Sequence, residues 1–93
     1  MPFVYMIRCS DQTLYVGHTN NLAVRERLHN EGFGARYTAA RRPVRLVHSE
    51  WHDSMENVLA RERQLKHWGA KKKASLIAGD LAGLKLLSRR RRR

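Results

Sequence analysis

The apolar positions near the N-terminus predict a β-hairpin. Residues 3–9 are rich in aromatic and β-branched types, as expected of a mostly buried strand, and residues 14–17 form a second short apolar stretch. The polar residues 10–13 between them predict the turn. Because side chains alternate between the faces of a strand, a four-residue loop with simple pairing would place Tyr5 and Tyr15 on opposite faces. A loop with an odd number of residues, or a β-bulge, would place them on the same face.

A helix is predicted at residues 22–31, with an N-cap among the Thr and Asn residues before it and its end at the glycine after it. Arg25 and His29 are four positions apart, so they lie one above the other on one helical face. Val24 and Leu28 have the same spacing on a neighbouring face. We expect this apolar pair to pack on the sheet.

A basic segment, residues 32–43, separates this helix from the third strand, which is predicted at residues 44–51. The segment has no sustained period, and its glycines and arginines predict an exposed loop. Aromatic residues interleaved with arginine suit a nucleic-acid surface, where rings stack on bases and guanidinium groups hold phosphates. The alternative is that Tyr37 only anchors the loop against the core.

Two further helices are predicted after the third strand. The first covers residues 54–67, with Asp53 and Glu56 at the spacing of a capping box. The second is short, covers residues 70–77 and carries three lysines in its first half.

One carboxylate on the longer of these helices stands out. Val58, Glu62 and Leu65 share a helical face, so Glu62 interrupts an apolar stripe that looks inward. Taken alone, Glu62 is explained as the ion-pair partner of Lys66 at i+4.

The length of the chain, 93 residues, fits a single domain with one modest core. We assign residues 1–80 to this domain and residues 81–93 to a C-terminal extension. The extension ends in five consecutive arginines, whose mutual repulsion predicts disorder unless a polyanion neutralises them.

No secretory signal is apparent, no apolar run approaches the roughly 20 residues that span a bilayer, and Cys9 has no cysteine partner. We therefore expect a cytoplasmic protein with no membrane partner.

The chain is strongly basic, with 19 Lys and Arg against 8 Asp and Glu and a net charge of +11. Subtracting the five terminal arginines from +11 leaves +6, so the domain is basic by itself. This favours a polyphosphate partner such as nucleic acid over an anionic membrane, for which no stretch has a suitable amphipathic face. Protein partners are not indicated. The candidate nucleic-acid-binding residues are Arg36, Tyr37, Arg41, Arg42, Lys71, Lys72 and Lys73.

Short motifs follow one another in a definite order along the chain. They are Phe3-Val4-Tyr5, Leu14-Tyr15-Val16-Gly17, Arg25-x-x-x-His29, Gly34-Ala35-Arg36-Tyr37-Thr38, Arg41-Arg42-Pro43-Val44 and Ala60-Arg61-Glu62. No single motif is specific, but the ordered set resembles the small stand-alone bacterial members of the GIY-YIG nuclease superfamily. The resemblance implies an α+β fold, a small three-stranded antiparallel sheet flanked by helices. It also implies an endonuclease that hydrolyses nucleic-acid phosphodiesters, DNA in preference to RNA, with one Mg²⁺ or Mn²⁺ ion.

The resemblance implies a catalytic set made up of Tyr5, Tyr15, Arg25, His29 and Glu62. Glu62 would hold the metal, and Arg25 would clamp the phosphate with its planar fork. Tyr5 would deprotonate the attacking water once it is ionised or relays its proton to a base, while Tyr15 would position water or phosphate. His29 would orient the substrate or accept a proton. A shared site needs both tyrosines on one face, so we predict the odd loop or the bulge.

The chain departs from the superfamily pattern at several positions. Phe3, Val4 and Val16 replace residues of the two name motifs but leave the tyrosines in place. Glu26 stands where members usually have an apolar residue. It would alter packing, crowd the site with negative charge, or turn to solvent and pair with an arginine.

Simpler explanations exist for each candidate alone, since strand tyrosines are usually core residues and an Arg25/His29 pair is usually a solvated helix face. Two other functions therefore stay open. One is a non-catalytic DNA- or RNA-binding module on the same scaffold, and the other is a small adaptor whose arginine tail docks on an acidic assembly.

The remaining histidines lack metal-ligand spacing and are expected in structural or surface roles. They are His18, His48, His52 and His67.

Overall fold

The computed structural model describes residues 2–80 and 82–86, and its centre is a three-stranded antiparallel sheet in the order β2-β1-β3. The strands are β1 (Phe3–Arg8), β2 (Leu14–Thr19) and β3 (Arg45–Trp51). The helices are α1 (Leu22–Asn30), α2 (Arg36–Ala39), α3 (Met55–Lys66) and α4 (Ala70–Ala78). The α+β prediction is confirmed, and no described helix is long and apolar enough to cross a membrane. The predicted disorder of the arginine tail lies outside the described residues.

The hairpin between β1 and β2 has the odd loop. Arg8 pairs with Leu14, which leaves the five residues 9–13 in the loop. Tyr15 consequently lies opposite Ile7, on the same face as Tyr5. The prediction that the tyrosines share a face is confirmed.

The sheet separates two packed layers, because alternate residues of β1 and β2 face opposite sides. One side is covered by α3 and α4, and the other by α1 and α2. The buried core residues are Val4, Met6, Val16, Val58 and Leu65 on the first side, and Tyr5, Ile7, Cys9 and Val44 on the second.

Helix α1 turns a different stripe toward the sheet from the one predicted. Val24 is 36% exposed, whereas His29 is fully buried and Leu22 and Arg25 are partly buried. Asn21 caps the helix by accepting a hydrogen bond from Val24 N (3.1 Å). The expectation that Val24 packs on the sheet is wrong because polar side chains with hydrogen-bond partners in the sheet occupy the inner face instead.

The segment predicted as an exposed loop contains the one-turn helix α2. Its backbone bond from Ala39 N to Ala35 O is 3.0 Å, and the hydroxyl-bearing side chain of Thr38 is fully buried. Helix α3 also begins differently from the prediction, since Ser54 rather than Asp53 is its N-cap. Ser54 Oγ accepts from Asn57 N (3.1 Å), and Asp53 instead accepts from the Asn57 side chain (3.0 Å). The predicted capping box is therefore wrong by one residue.

Candidate active site

Three of the predicted catalytic side chains meet on the α1 side of the sheet. Tyr5 is 1% exposed, and its hydroxyl lies 2.8 Å from His29 Nε2. Arg25 Nε donates to the same hydroxyl oxygen at 3.3 Å. The i, i+4 spacing of Arg25 and His29 on α1 presents both to β1, as the sequence predicted.

The environment of this cluster keeps both the phenol and the imidazole uncharged near neutral pH. Burial raises the pKa of Tyr5 above its usual 10.0, against the hydrogen bond and positive charge of Arg25. Burial, helped by the charge of Arg25, lowers the pKa of His29 below its usual 6.5. A phenol and a neutral imidazole in direct contact can share one proton, which is the first requirement for using Tyr5 as a base.

The Tyr15 ring packs against both His29 of α1 and Tyr37 of α2. Its ring centroid lies 5.3 Å from that of His29 and 6.2 Å from that of Tyr37, with the two tyrosines stacked. The guanidinium carbon of Arg41 sits 3.8 Å from the centroid of the Tyr37 ring. Tyr37 thus anchors the segment to the site, which was one of the two alternatives, and its contact with nucleic acid stays a prediction.

Two glycines make room for the side chains of Tyr5 and His29. Gly17 lies opposite Tyr5 in the hairpin, and a Cβ there would be 2.5 Å from the Tyr5 hydroxyl. A Cβ at Gly34 would overlap the His29 ring. The Gly34 carbonyl also accepts from Arg25 Nη2 at 3.5 Å, so the turn after α1 is part of the site.

Glu62 approaches from the opposite side of the sheet, on α3. Its side chain is 14% exposed and contacts His18 Nδ1 with both oxygens at 3.2 Å and Lys66 Nζ at 3.7 Å. His18 follows Gly17 on β2, which is an edge strand. The negative charge of Glu62 also contributes to raising the pKa of Tyr5, after burial and the neighbouring groups. Glu62 and Tyr5 are thus linked through adjacent residues of the edge strand β2, because Glu62 contacts His18 and Tyr5 lies opposite Gly17.

His18 is the residue of this arrangement that sequence reasoning missed, because it had been expected only in a structural or surface role. The prediction ended β2 at Gly17, whereas the strand continues to Thr19. Extending the strand would have revealed His18, since alternation places it on the face opposite Tyr15, toward α3.

The two carboxylate oxygens of Glu62 are donors of the type that a hard divalent cation takes. Among the described residues, no group of three or more His, Cys, Asp or Glu side chains is placed to hold a metal. A single carboxylate with solvent and substrate oxygens is the usual protein contribution to a Mg²⁺ site. Glu62 is thus suited to the expected ion.

Glu26 has a structural role. Its Oε2 accepts a hydrogen bond from Leu46 N at 2.6 Å, next to the irregularity in the β1–β3 pairing between Met6 and Ile7. The carboxylate binds the backbone of β3, so the alternative in which Glu26 turns to solvent and pairs with an arginine is wrong.

The predicted basic residues lie on both sides of the hairpin turn. On the α2 side, Arg36 is exposed, Arg41 Nε binds Asp11 Oδ2 (3.0 Å), and Arg42 Nε donates to Ala39 O (2.9 Å). These bonds hold the α2 segment against the turn, so Arg41 and Arg42 have structural roles whatever else they bind.

A groove of about 500 Å³ lies between the hairpin turn and α4. Its lining includes Arg8, Lys71 and Lys73, and burial lowers the pKa of Lys73. Lys72 turns elsewhere, with Nζ 4.3 Å from the Trp68 ring centroid. The lysines predicted as one cluster thus divide between a basic groove and an aromatic contact.

Comparison with known proteins identifies the family and the fold of this chain. The family model described as the GIY-YIG catalytic domain matches residues 1–75. A UPF0213 protein of Syntrophus aciditrophicus is 50% identical over 76 residues, which cover 81% of this chain and 87% of that protein. A UPF0213 protein of Staphylococcus aureus is 43% identical over 75 residues, 81% of this chain and 92% of that protein.

A solved structure agrees with these relatives. The solution NMR structure of a UPF0213 protein from Bacillus halodurans has a TM-score of 0.55 and 35% identity to this chain, and the match covers 84% of each. The chain therefore belongs to the GIY-YIG family, and its domain is that of a nuclease superfamily.

Proposed function

We propose that this protein is a divalent-metal-dependent endonuclease that hydrolyses phosphodiester bonds, with DNA as its substrate. The observation that carries the proposal is the Tyr5 hydroxyl, buried and in contact with both His29 Nε2 (2.8 Å) and Arg25 Nε (3.3 Å). A core tyrosine needs one hydrogen-bond partner, whereas a tyrosine that acts as a base needs a proton acceptor and a cation. Tyr5 has both.

In this proposal Tyr5 takes a proton from the attacking water after it has passed its own proton to His29. The low pKa of His29 keeps its ring able to accept at neutral pH. Arg25 then stabilises the phenolate through Nε. The transfer is uphill, because burial raises the pKa of Tyr5 and lowers that of His29, and the positive charge of Arg25 beside the phenolate offsets part of this cost.

Arg25 and Tyr15 hold the scissile phosphate. Arg25 uses Nε for Tyr5 and Nη2 for Gly34 O, and its remaining N–H groups can bind two phosphate oxygens. The Tyr15 hydroxyl belongs to a ring packed against His29, which fixes its position.

Glu62 would hold a Mg²⁺ or Mn²⁺ ion at the open edge of β2, exchanging its contact with His18 for the cation. The ion, when bound, supplies Lewis-acid stabilisation of the departing 3′ oxygen. The α2 segment and the basic groove beside α4 would bind flanking phosphates. A cytoplasmic location, where a free Cys9 stays reduced, fits this substrate.

A nicking assay on supercoiled plasmid, with Mg²⁺ or Mn²⁺, tests the function. We expect Glu62→Ala and Tyr5→Phe each to reduce cleavage by at least about 100-fold, because each removes a group that acts on the reacting atoms. Both variants should still bind DNA with an affinity that depends on salt concentration. Glu56→Ala, which removes an exposed carboxylate from the same helix, should cleave like wild type.

Equal cleavage by all four proteins would show a contaminating nuclease and overturn the proposal. Tight binding of DNA by all four, with no cleavage under any metal condition, would favour the non-catalytic binding module. Replacing the plasmid by a single-stranded or RNA substrate of equal length tests the choice of DNA.

A further inference from the structure

His29 is a buried imidazole with a partner at each ring nitrogen. Nε2 lies 2.8 Å from the Tyr5 hydroxyl, and Nδ1 lies 2.7 Å from Thr38 Oγ1. Thr38 is fully buried, and its hydroxyl also lies 3.1 Å from the Ala35 carbonyl oxygen. These contacts link β1, α1 and α2 in one chain of hydrogen bonds.

The number of protons fixes the direction of this chain. A carbonyl oxygen only accepts, so Thr38 must give its single hydrogen to Ala35 O for that bond to exist. Thr38 Oγ1 is then an acceptor, and His29 Nδ1 must carry the proton. A neutral imidazole carries one proton, so Nε2 is bare and accepts from the Tyr5 O–H. The reverse arrangement would lose the bond to Ala35 O in a buried site, which is costly.

We infer that Thr38 is a positioning residue, which selects the His29 tautomer in which Nε2 is free to take the proton of Tyr5. The inference deepens the proposed function and rests on it. Thr38 touches neither substrate nor the reacting atoms, and it acts only through His29.

The proton transfer that Thr38 supports is balanced. The Tyr5 O–H bond breaks, and its proton passes to His29 Nε2, leaving a phenolate beside Arg25 and an imidazolium that donates from both nitrogens. The phenolate then takes a proton from the attacking water as the new O–P bond forms, and the bond to the 3′ oxygen breaks with its electron pair on that oxygen. The 3′ oxygen takes a proton from solvent, and the imidazolium gives its extra proton to solvent, which restores neutral His29. Thr38 is needed again at this stage, because without it the imidazolium would hold a buried Nδ1–H with no acceptor.

The groups that face His29 agree with this assignment. They are Tyr5 from β1, Tyr15 from β2, Arg25 from α1 and Thr38 from α2, and Arg25 is the one fixed charge among them. Burial first and Arg25 second lower the pKa of His29. Since Nε2 must be unprotonated to accept, kcat/KM of the wild type should be level near neutral pH and fall only below pH 6.5.

The test compares full-length wild type with Thr38→Val, which keeps the shape and removes the hydroxyl, and Thr38→Ser, which keeps the hydroxyl. Nitrogen-15 NMR of the imidazole rings reports the tautomer, with His29→Asn identifying the His29 signals. We expect Nδ1–H in wild type and Thr38→Ser, and a shift toward Nε2–H in Thr38→Val. In plasmid nicking, Thr38→Val should lower kcat about 100-fold with KM unchanged, and Thr38→Ser should restore most of the rate.

An Nε2–H tautomer in the wild type would overturn the inference, as would a Thr38→Val protein with unchanged tautomer and kcat. If Thr38→Val fails to fold, two measurements remain. An Nδ1–H tautomer in wild type and a nearly wild-type rate for Thr38→Ser would support the inference, and an Nε2–H tautomer or an inactive Thr38→Ser would overturn it. An inactive wild type would count against the proposed function only, because the NMR measurement requires no cleavage.

Discussion

The buried polar residues His29 and Thr38 give the site its rigidity. Both are fully buried, and among the described residues no buried side-chain nitrogen or oxygen lacks a hydrogen-bond partner. A fully bonded polar network in a low-dielectric interior has one favoured geometry, whereas a partly bonded one would be costly. Tyr5 is therefore held by a network rather than by one contact.

The identities of the site residues could be predicted from the sequence, but their connections could not. Tyr5, Arg25 and His29 were found because their order and spacing match a family pattern. Thr38 and His18 were not found, because the contacts that give them meaning join residues 9 and 44 positions apart in sequence. A buried hydroxyl or imidazole acquires its role only from partners that folding brings together.

Gly34→Ala tests how tightly the His29 ring is held. The added methyl would overlap the ring, so His29 must shift away from Tyr5 or Thr38. We expect cleavage to fall about 100-fold, as for loss of a general base, and stability to fall by about 1–3 kcal/mol from overpacking. The control is Gly69→Ala, whose methyl meets no atom within 4 Å. Nicking rates and thermal unfolding of both variants check this, and equal activity of the two would refute the tight contact.

Polar side chains join each helical layer to strand β3 or the residue before it. Asn30 at the end of α1 bonds both backbone groups of Val44, accepting from N at 2.7 Å and donating to O at 2.9 Å. On the other side, Arg61 of α3 donates to both oxygens of Glu50 on β3, at 2.8 and 3.0 Å. Burial alone would raise the pKa of Glu50, but hydrogen bonds from Arg61 and the neighbouring histidines hold that pKa at about 2.

The elements themselves were largely predictable, since the strands and the three longer helices follow from apolar runs and capping residues. The inner face of α1 was predicted only in part, because Val24, which was expected to pack on the sheet with Leu28, is exposed, whereas Leu28 is partly buried. The helix instead turns Arg25, Glu26 and His29 inward or to the side, where the sheet supplies their hydrogen-bond partners. Apolar spacing fails as a guide where a helix carries a buried polar site.

Glu26→Ala should weaken the attachment of β3 to α1. The variant leaves Leu46 N without its 2.6 Å acceptor, and loss of a charged hydrogen-bond partner in a half-buried site costs about 1–3 kcal/mol. Glu26→Gln keeps an acceptor and should lose less, and Glu31→Ala, at an exposed position, should lose almost nothing. Urea unfolding at neutral pH measures all three. A large fall in cleavage without a fall in stability would instead mean that Glu26 acts in the site.

Across the whole molecule, basic residues lie on both sides of the hairpin turn between β1 and β2. Asp11 in the hairpin turn binds Arg41 from the α2 side and lines the groove that contains Lys71 and Lys73 on the α4 side. Both basic elements therefore flank the same end of the sheet, and a nucleic-acid backbone that follows the open edge of β2 would pass between them. We expect binding to such a surface to depend mainly on phosphates rather than on base edges.

The C-terminal arginines should contribute to the salt dependence of DNA binding. Deleting residues 89–93 removes five of the +11 net charges, and for every phosphate that the tail neutralises, the slope of log K against log salt should become shallower by about 0.9 on duplex DNA. Replacing the five arginines by five serines keeps the chain length and should reduce the slope equally, because charge and not length is responsible. Lys71→Ala combined with Lys73→Ala should reduce it independently. Fluorescence anisotropy with a short duplex at several salt concentrations measures these slopes, and a slope unchanged by either tail variant would mean that the tail does not bind the phosphates.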